Sequence, residues 1–451
     1  MNMNNKLLRR PKSVEEIENK YQFLGFTQNP FPIEPAVKPY SDDPRVNGSI
    51  FLEKIRQEEM SDFKEHIVKA PNKIGLMMDY AAYKGRGIGK TAFLNHMKNL
   101  INSDLGEQMS NGDSVIYAVY VSPSADKNSR TLNDVAHSIF SSMHKEGLFL
   151  TVFCRLRALS GLLDDIIDDT IDESNYENTI ADDDWLKARG VDVIALNAFV
   201  LNELKQAGLT DETTTLFGGN YHSFKATLDD NKNEYFWKKQ GLPFLFNNVE
   251  KLLKAAMFTN CIILLDEAEK MIQYQNFNER RAFCENLRYY FIDGSCMNAL
   301  DGFFKIVLTI HPNSQELLMP HWAAAGLDRF CSLGGNTSSE NTIFFRPMSN
   351  DAMMISELAE IYLHESRIDQ ADNSIYPFTQ EAISYAMEKS DRIPGRFLKL
   401  LYIIIEKAVA NKWECIDKEQ VDYAWQEDNK NYQSETALSD ENPLPKTKVE
   451  L

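Results

Sequence analysis

Five short apolar runs appear along the chain, each four to eight residues long and rich in Val, Ile, Leu, Phe or Tyr. They are Ile74–Tyr80, Ser114–Val121, Cys261–Leu265, Phe304–Ile310 and Thr342–Phe345. Their apolarity is continuous rather than alternating, which is typical of strands covered on both faces of a parallel sheet. Helical patterns such as Thr91–Ile101 and Leu132–His144 separate the runs. Strands alternating with helices predict an α/β fold with a doubly wound sheet of five parallel strands.

The stretch between the second and third runs, about residues 147–260, is unusually long for a connection. Helical patterns occur in it at Phe149–Asp168, Val191–Gln206 and Phe246–Phe258, and Asp164–Asp184 is an acidic run with little apolar content. We interpret this stretch as an inserted helical subdomain with a mobile acidic loop. A solvated surface excursion is the alternative.

The sequence as a whole predicts four segments. Residues 1–20 form a polar, flexible arm, and residues 21–347 form the α/β core, which opens with a Pro-punctuated stretch that cannot be one long helix. Residues 348–427 show only helical patterns, with Thr379 as the N-cap of Gln380–Lys389. Residues 428–451 are polar and predict a disordered tail.

Composition narrows the functional classes. The 451 residues are 43% apolar and 25% charged, which is ordinary for a globular protein, and the net charge of −18 argues against a surface that coats nucleic acid. The six cysteines form no CxxC pair and indicate buried thiols in a reducing compartment. No segment has the roughly 18 apolar residues of a membrane span, so the cytoplasm is the simplest expected location.

The strongest chemical signal is the run KGRGIGKT, which follows the first apolar run and opens a helix. Glycines allow a tight turn whose N–H groups point at phosphate oxygens, and the helix N-terminus favours anions. In this interpretation Lys90 reaches the β- and γ-phosphates of ATP, and Thr91 holds Mg²⁺. The residues expected to bind the nucleotide are Gly85, Arg86, Gly87, Ile88, Gly89, Lys90 and Thr91. Lys84 stands where this motif usually has its first glycine, and a simple Gly-rich turn with a capping Thr is the alternative.

Two acids, Asp266 and Glu267, come directly after the third run. Open α/β sheets bind ligands at such strand ends, so we expect Asp266 to hold Mg²⁺ and Glu267 to deprotonate the attacking water. A helix N-terminus that favours acids is the alternative. The fourth run leads to His311, our first choice for a residue that touches the γ-phosphate or the water, with Asn313 or Thr309 as substitutes.

These residues resemble the AAA+ ATPases, which are P-loop NTPases. Five features stand in the order of that family: GRGIGKT, LLDEAEK, KIVLTIHPN, GLDRF and RIPGRFLKLL. The resemblance implies a Walker A and a Walker B motif and a C-terminal helical lid, with ATP between sheet and lid. It also implies that Arg329 reaches the γ-phosphate of a neighbouring subunit and that Arg396 contacts the nucleotide in cis, since guanidinium groups match phosphate oxygens. Ordinary surface ion pairs are the alternative for both arginines.

Within AAA+, the opening LGFTQNPFPIEP resembles the strap of origin-recognition and transposition-type ATPases. The segment from LLDEAEKM to ERRAFCENLRYYFIDG is similar to ATP-binding proteins of bacterial phage-defence operons of the BREX type. Arg280, Arg281 and Arg288 lie on one candidate helix there, where they would contact nucleic acid, a partner or another subunit, or form a solvated face. We see no winged-helix pattern after the lid.

Three functions stay open at this point. The first is a Mg²⁺-dependent ATPase that works as an oligomeric motor or switch, a ring or a filament, on DNA or a DNA-bound complex in antiphage defence. The second is a nucleotide-dependent scaffold that recruits a protein effector, with hydrolysis as the reset. The third is a nucleotide-binding interaction protein without enzymatic activity. No membrane partner is expected.

Overall fold

The computed structural model describes residues 19–39, 41–79, 87–123, 130–167, 176–209, 217–230, 234–333, 341–369 and 374–427. The chain forms two compact units. The sheet unit comprises Arg56–Gly85 and Lys90–Arg346, and the helical unit comprises Met1–Ile55, Arg86–Gly89 and Pro347–Leu451. Most of the predicted arm and all of the predicted tail lie outside the described residues.

The sheet unit is built on one sheet of five strands, all of whose pairings are parallel. The strands are β1 (Ile74–Asp79), β2 (Ile116–Val121), β3 (Asn260–Leu265), β4 (Phe304–Ile310) and β5 (Thr342–Phe345). Their order across the sheet is β2-β3-β4-β1-β5. The five predicted strands and the α/β class are therefore confirmed. Apart from the half-buried first residue of β3, every strand residue is buried, which explains the continuous apolar runs.

Helices precede β1, lie in the connections between the strands and follow β5. In chain order they are α1 (Pro44–Asn47), α2 (Gln57–Phe63), α3 (Lys90–Ser103), α4 (Glu107–Ser110), α5 (Leu132–Lys145), α6 (Leu148–Ala158), α7 (Asp164–Ile167), α8 (Tyr176–Ala181), α9 (Asp183–Ala188), α10 (Val193–Gln206), α11 (Tyr221–Asp230), α12 (Glu234–Pro243), α13 (Glu250–Ala255), α14 (Glu269–Ile272), α15 (Phe277–Arg288), α16 (Met297–Asp301), α17 (Pro312–Ala324), α18 (Ala352–Glu365), α19 (Gln380–Lys389) and α20 (Pro394–Asn411). A further helix covers 418–427. Wider π-helical turns continue three of them, at Lys64–Lys69, Phe244–Val249 and Tyr289–Asp293.

The described parts of the segment between Gly147 and β3 are mainly helical, and many of their apolar side chains belong to the core of the sheet. Trp237 of α12 is 2% exposed and stacks on His137 and Phe140 of α5, with ring centroids 5.0 Å apart in both pairs. The predicted single helix Phe149–Asp168 is wrong, because α6 ends at Ala158 and α7 begins at Asp164. Gly161, with φ +70°, lies in the turn that separates them.

A buried arginine ties the first helices of this segment together. Arg157 of α6 is inaccessible to solvent and donates to the carbonyl oxygen of Ile180 at 2.7 Å. It also forms an ion pair with Asp183 and donates to Asn197 Oδ1 at 2.8 Å. Because these partners lie on α8, α9 and α10, one side chain links four helices.

The helical unit has a separate apolar core. Leu24, Phe26 and Phe31, from the Pro-punctuated stretch, are fully buried in it together with residues of α18, α19 and α20. Arg367 stacks over the Phe26 ring at 4.6 Å. The predicted N-cap is confirmed, since Thr379 Oγ1 accepts from the Ala382 N–H at 3.2 Å.

The six cysteines are free thiols, and five of them are buried. Cys415 is exposed, which corrects the expectation of six buried thiols. Across the described ranges, no helix combines the length and the apolarity that crossing a bilayer requires.

Candidate functional site

The strand order places a crevice between the carboxyl ends of β1 and β4. From β1 the chain crosses to β2 at one edge of the sheet, whereas from β4 it crosses to β5 at the other edge. Ligands of open α/β sheets bind where neighbouring strands send their connections in opposite directions. Strand β3 is separated from β1 only by β4, a distance of roughly 10 Å at the usual strand spacing. The polar residues that end these three strands therefore form the candidate site.

Lys90 is the first residue of α3, and its ammonium group lies at the end of β1. Its Nζ donates to Asp79 Oδ1 at 2.5 Å, and Asp79 is the last residue of β1. Asp79 is only 2% exposed, and its second oxygen, Oδ2, is buried without a hydrogen-bond partner among the described residues. The lysine predicted to bind phosphates thus starts from a buried ion pair. Thr91 follows, half-buried, in the first turn of α3.

Asp266 is held from both neighbouring strands. It is 1% exposed, and its Oδ1 accepts from Thr309 Oγ1 of β4 at 2.6 Å and from the Glu267 N–H at 2.9 Å. Tyr120 of β2 donates its hydroxyl to Oδ2 at 2.9 Å. A carboxylate accepts about four hydrogen bonds, so these three leave Asp266 room for one more donor, such as a metal-bound water.

Glu267 follows in a left-handed backbone conformation, with φ +52°. Its N–H also donates to Thr309 Oγ1 at 2.7 Å, which fixes the peptide. Its side chain is 39% exposed, forms an ion pair with Lys270 and accepts from Ser122 Oγ at 3.2 Å. The carboxylate is therefore accessible to solvent but engaged by two neighbours.

A third acid, Glu269, lies near the same groups. Burial raises the pKa of Glu269 above its ordinary value, Lys90 opposes that shift, and the negative charges of Asp266 and Glu267 add to it. Glu269 was not identified from the sequence, although its position three residues after Asp266 in DEAEK could have indicated a third acid of the site. The sequence reasoning also missed Asp79, an acid at a strand end, and Tyr120 and Ser122, which have no local signal because their roles depend on strand order.

The last residues of the glycine turn, Gly87 to Gly89, belong to the helical unit. Gly87 and Gly89 have φ +102° and +101°, which only glycine adopts readily, and Ile88 between them is 2% exposed. The Gly395 N–H donates to the Gly87 carbonyl oxygen at 2.8 Å. A Cβ on Gly395 would lie 2.8 Å from that oxygen, so both positions require glycine. The predicted nucleotide ligands Gly85 and Arg86, and the Lys84 departure, lie outside the described residues.

His311 caps α17, where its Nδ1 accepts from the Asn313 N–H at 3.4 Å. Among the three candidates on this strand end, Thr309 is the residue that contacts Asp266 directly. The prediction that His311 touches the γ-phosphate or the water stays a prediction, and Thr309 is the candidate that the structure joins to Asp266.

The two predicted arginines are both exposed. Arg329 ends the short 3-10 helix Leu327–Arg329 and forms no ion pair within the described ranges. Arg396, in the first turn of α20, forms an ion pair with Asp391 at 2.5 Å, and Asp391 has φ +54°.

The basic side chains of α15 have local partners. Arg280 Nε donates to the Ile272 carbonyl oxygen at 3.4 Å, Arg281 pairs with Glu285 at 2.7 Å, and Arg288 pairs with Asp293 at 2.5 Å. Arg288 also donates to the distant Ala325 carbonyl oxygen at 2.7 Å, and Arg280 and Arg288 are half-buried whereas Arg281 is exposed. The partners expected for these arginines from the sequence stay predictions.

No protein-family model and no curated protein matches the sequence. Among solved structures, the chain is similar to a Walker-type ATPase of Pyrococcus abyssi, with 12% identity and a TM-score of 0.41 over 91% of this chain and 79% of that one. It is also similar to the Aeropyrum pernix ORC1 protein in complex with DNA, with 13% identity and a TM-score of 0.38 over 86% of this chain and 69% of that one. Both likenesses are remote, and the α/β fold stands on the strand pairing of the chain itself.

Proposed function

We propose that this chain is a Mg²⁺-dependent P-loop ATPase of the AAA+ type. The observation that carries the proposal is the placement of buried Asp266, with Glu267 beside it, two strands away from the strand end that holds Lys90. A phosphate-binding lysine and an acid pair flanking one crevice are the arrangement that phosphoryl transfer to water requires.

In this proposal Lys90 binds the β- and γ-phosphates of ATP, and the N–H groups of the glycine turn that leads into it bind the remaining phosphate oxygens. The residues present fit a magnesium ion, since Asp266 retains one acceptor position and Thr91 offers a hydroxyl. When bound, Mg²⁺ neutralises the charge of the phosphate oxygens. Arg396 contacts the nucleotide within the same chain.

Glu267 is the general base. The oxygen of a water molecule bonds to the γ-phosphorus while the bond to the β–γ bridging oxygen breaks, and Glu267 accepts the proton of that water. ADP and phosphate leave. The contacts of Glu267 with Lys270 and Ser122 are both made by Oε2, so in this proposal the other oxygen, Oε1, accepts the proton. Thr309 holds the peptide between the two acids in place through both of its hydrogen bonds.

A second candidate function is a nucleotide-dependent scaffold that recruits a protein effector and hydrolyses ATP only to reset. The ion pair of Glu267 with Lys270 supports this candidate, because it occupies one oxygen of the carboxylate that would otherwise be open to a water molecule. Exposed Arg329 supports assembly into a homo-oligomer, a ring or a filament, in which this arginine completes the site of a neighbouring subunit.

Action on DNA or a DNA-bound complex, and a role in antiphage defence, form the finer part of the proposal. They rest on the sequence resemblance of the strap and of the LLDEAEKM segment. Stimulation of ATP turnover by DNA is the observation that would support them, and equal turnover with and without DNA would favour the scaffold.

The experiment is phosphate release from Mg-ATP by the wild-type chain and three variants. Lys90→Ala should lose nucleotide binding and turnover, whereas Glu267→Gln should bind ATP and lose turnover. Lys98→Ala, on the same helix as Lys90 but paired with Glu146, is the matched control and should keep both. Absence of turnover with retained binding would leave a binding protein, and absence of binding would refute the proposal.

A further inference from the structure

We propose that Asp79 holds Lys90 Nζ in the nucleotide-free protein and competes with the phosphates of ATP for it. The inference rests on the proposed function and adds to it an internal carboxylate that sets the affinity for nucleotide. Asp79 would then be a positioning residue, which acts on the substrate through Lys90.

The ion pair is short and shielded from solvent. Lys90 Nζ lies 2.5 Å from Asp79 Oδ1, and the side chains are 16% and 1% exposed. An ion pair with this burial is screened weakly by salt and is stronger than an exposed pair.

Asp79 has few other ways to compensate its charge. Its Oδ2 is buried, and no group in the described part of the chain forms a hydrogen bond with it. The charge of Arg56 also attracts it, but Arg56 pairs with Glu59 at 2.8 Å and donates to the Arg346 carbonyl oxygen at 2.9 Å. Of the cations that the structure describes, Lys90 is the one bonded directly to Asp79. Withdrawing it leaves a buried carboxylate without a bonded cation among these residues, which is strongly unfavourable.

The other acids of the site do not compete in the same way. Asp266 is satisfied by three hydrogen bonds, and Glu267 pairs with Lys270. Only Asp79 among the described acids is bonded to Lys90. Phosphate oxygens that arrive at Lys90 must therefore displace or share this one carboxylate, which also repels them.

A purely structural ion pair predicts the opposite result. If the pair only joins the end of β1 to α3, its loss disturbs the position of Lys90 and weakens nucleotide binding. If Asp79 competes, its neutralisation tightens binding. Damage to the fold does not tighten nucleotide binding. A gain in affinity would therefore distinguish competition by Asp79 from a purely structural role.

The test is calorimetric titration of a non-hydrolysable ATP analogue and of inorganic tripolyphosphate, with and without Mg²⁺, into wild type and Asp79→Asn. We expect about tenfold tighter binding of both phosphate ligands to the variant, in the range of coupling measured for close charge pairs. Adenosine binding should stay unchanged. Glu146→Gln is the matched control, because it neutralises a mostly buried acid that pairs with Lys98 on the same helix, and it should change the affinity less than twofold.

Unchanged or weaker binding in folded Asp79→Asn would overturn the inference and leave the proposed function standing. Asp79→Ser, a smaller neutral side chain, serves as the second variant where the asparagine does not fold. A wild-type chain that binds neither phosphate ligand would overturn the proposed function and the inference together.

Discussion

Glu250, at the start of α13, is a buried acid whose ionisation opposes folding. Its side chain is inaccessible to solvent. Oε1 accepts from Lys254 Nζ at 2.7 Å, and Oε2 has no hydrogen-bond partner within the ranges that the structure describes. Burial raises the pKa of Glu250 to about 7, Lys254 opposes that shift, and the charge of Asp301 adds to it. Lys254 is shared with Asp301, so it compensates Glu250 incompletely.

The sign of the pH dependence follows from proton uptake. The unfolded carboxyl ionises near its ordinary value of 4.5, and the folded one near 7. Between these values the folded state binds more protons, so the free energy of unfolding falls as pH rises. The stabilisation is present below the unfolded pKa and is lost as pH passes through the folded one. The difference corresponds to at most roughly 3 kcal/mol, since one pKa unit is about 1.4 kcal/mol.

Glu250→Gln removes this titration while keeping the shape of the side chain. We expect the free energy of unfolding of the variant, relative to wild type, to rise by roughly 2–3 kcal/mol between about pH 5 and pH 8. Urea unfolding at several pH values measures it. Glu65→Gln is the control, because Glu65 forms the same i,i+4 pair with Lys69 but is exposed. A difference between variant and wild type that does not change with pH would refute the reasoning.

Three further predictions concern the site and its support. Thr309→Val removes the hydroxyl that bonds Asp266, so urea unfolding should show a loss of about 2 kcal/mol in the free energy of unfolding. Phosphate release should show ATP turnover at least tenfold lower, and unchanged turnover would contradict this role. Gly395→Ala pushes a methyl group against the Gly87 carbonyl oxygen, so thermal unfolding should report a loss of about 1–3 kcal/mol, and an unshifted Tm would contradict the contact. Lys305→Met leaves three backbone carbonyl oxygens without their donor and should cost roughly 2–4 kcal/mol in urea unfolding; a neutral effect would show that water replaces it.

The strands could be predicted because burial on both faces leaves a continuous apolar run, and that signal is local. Helices whose local sequence signals are weak, such as α12 and α17, could not be predicted. Pro320 lies inside α17 and Pro243 ends α12, and an interior proline argues against a helix. Packing overrides that preference, since Leu318 and Trp322 of α17 are buried in the sheet core.

The residues of the candidate site likewise fall into those that the sequence predicts and those that it does not. Lys90, Asp266 and Glu267 were identified from motifs, because their spacing from a glycine turn or a strand end is fixed along the chain. Tyr120 was missed, because it meets Asp266 only once the pairing of β2 with β3 is known. Asp79 was missed although it lies only 11 residues before Lys90, because no motif assigns a role to the acid that ends β1. Thr309 and His311 lie two residues apart on one strand end, and only the structure distinguishes the residue that bonds Asp266 from the one that caps a helix.

The charge of the assembled site argues that nucleotide enters it with a metal ion. Asp79, Asp266, Glu267 and Glu269 are gathered near Lys90, and Lys270 is the other cation paired with one of these acids. Among the described residues, these four carboxyl groups outnumber the two ammonium groups and the Arg56 guanidinium that attracts Asp79, so this part of the site is formally negative. A bare triphosphate adds further negative charge to it. Oxygen ligands in such excess suit a hard divalent cation. Wild-type affinity for the ATP analogue should therefore depend strongly on Mg²⁺, and more strongly than that of Asp79→Asn, in which one of the four charges is gone.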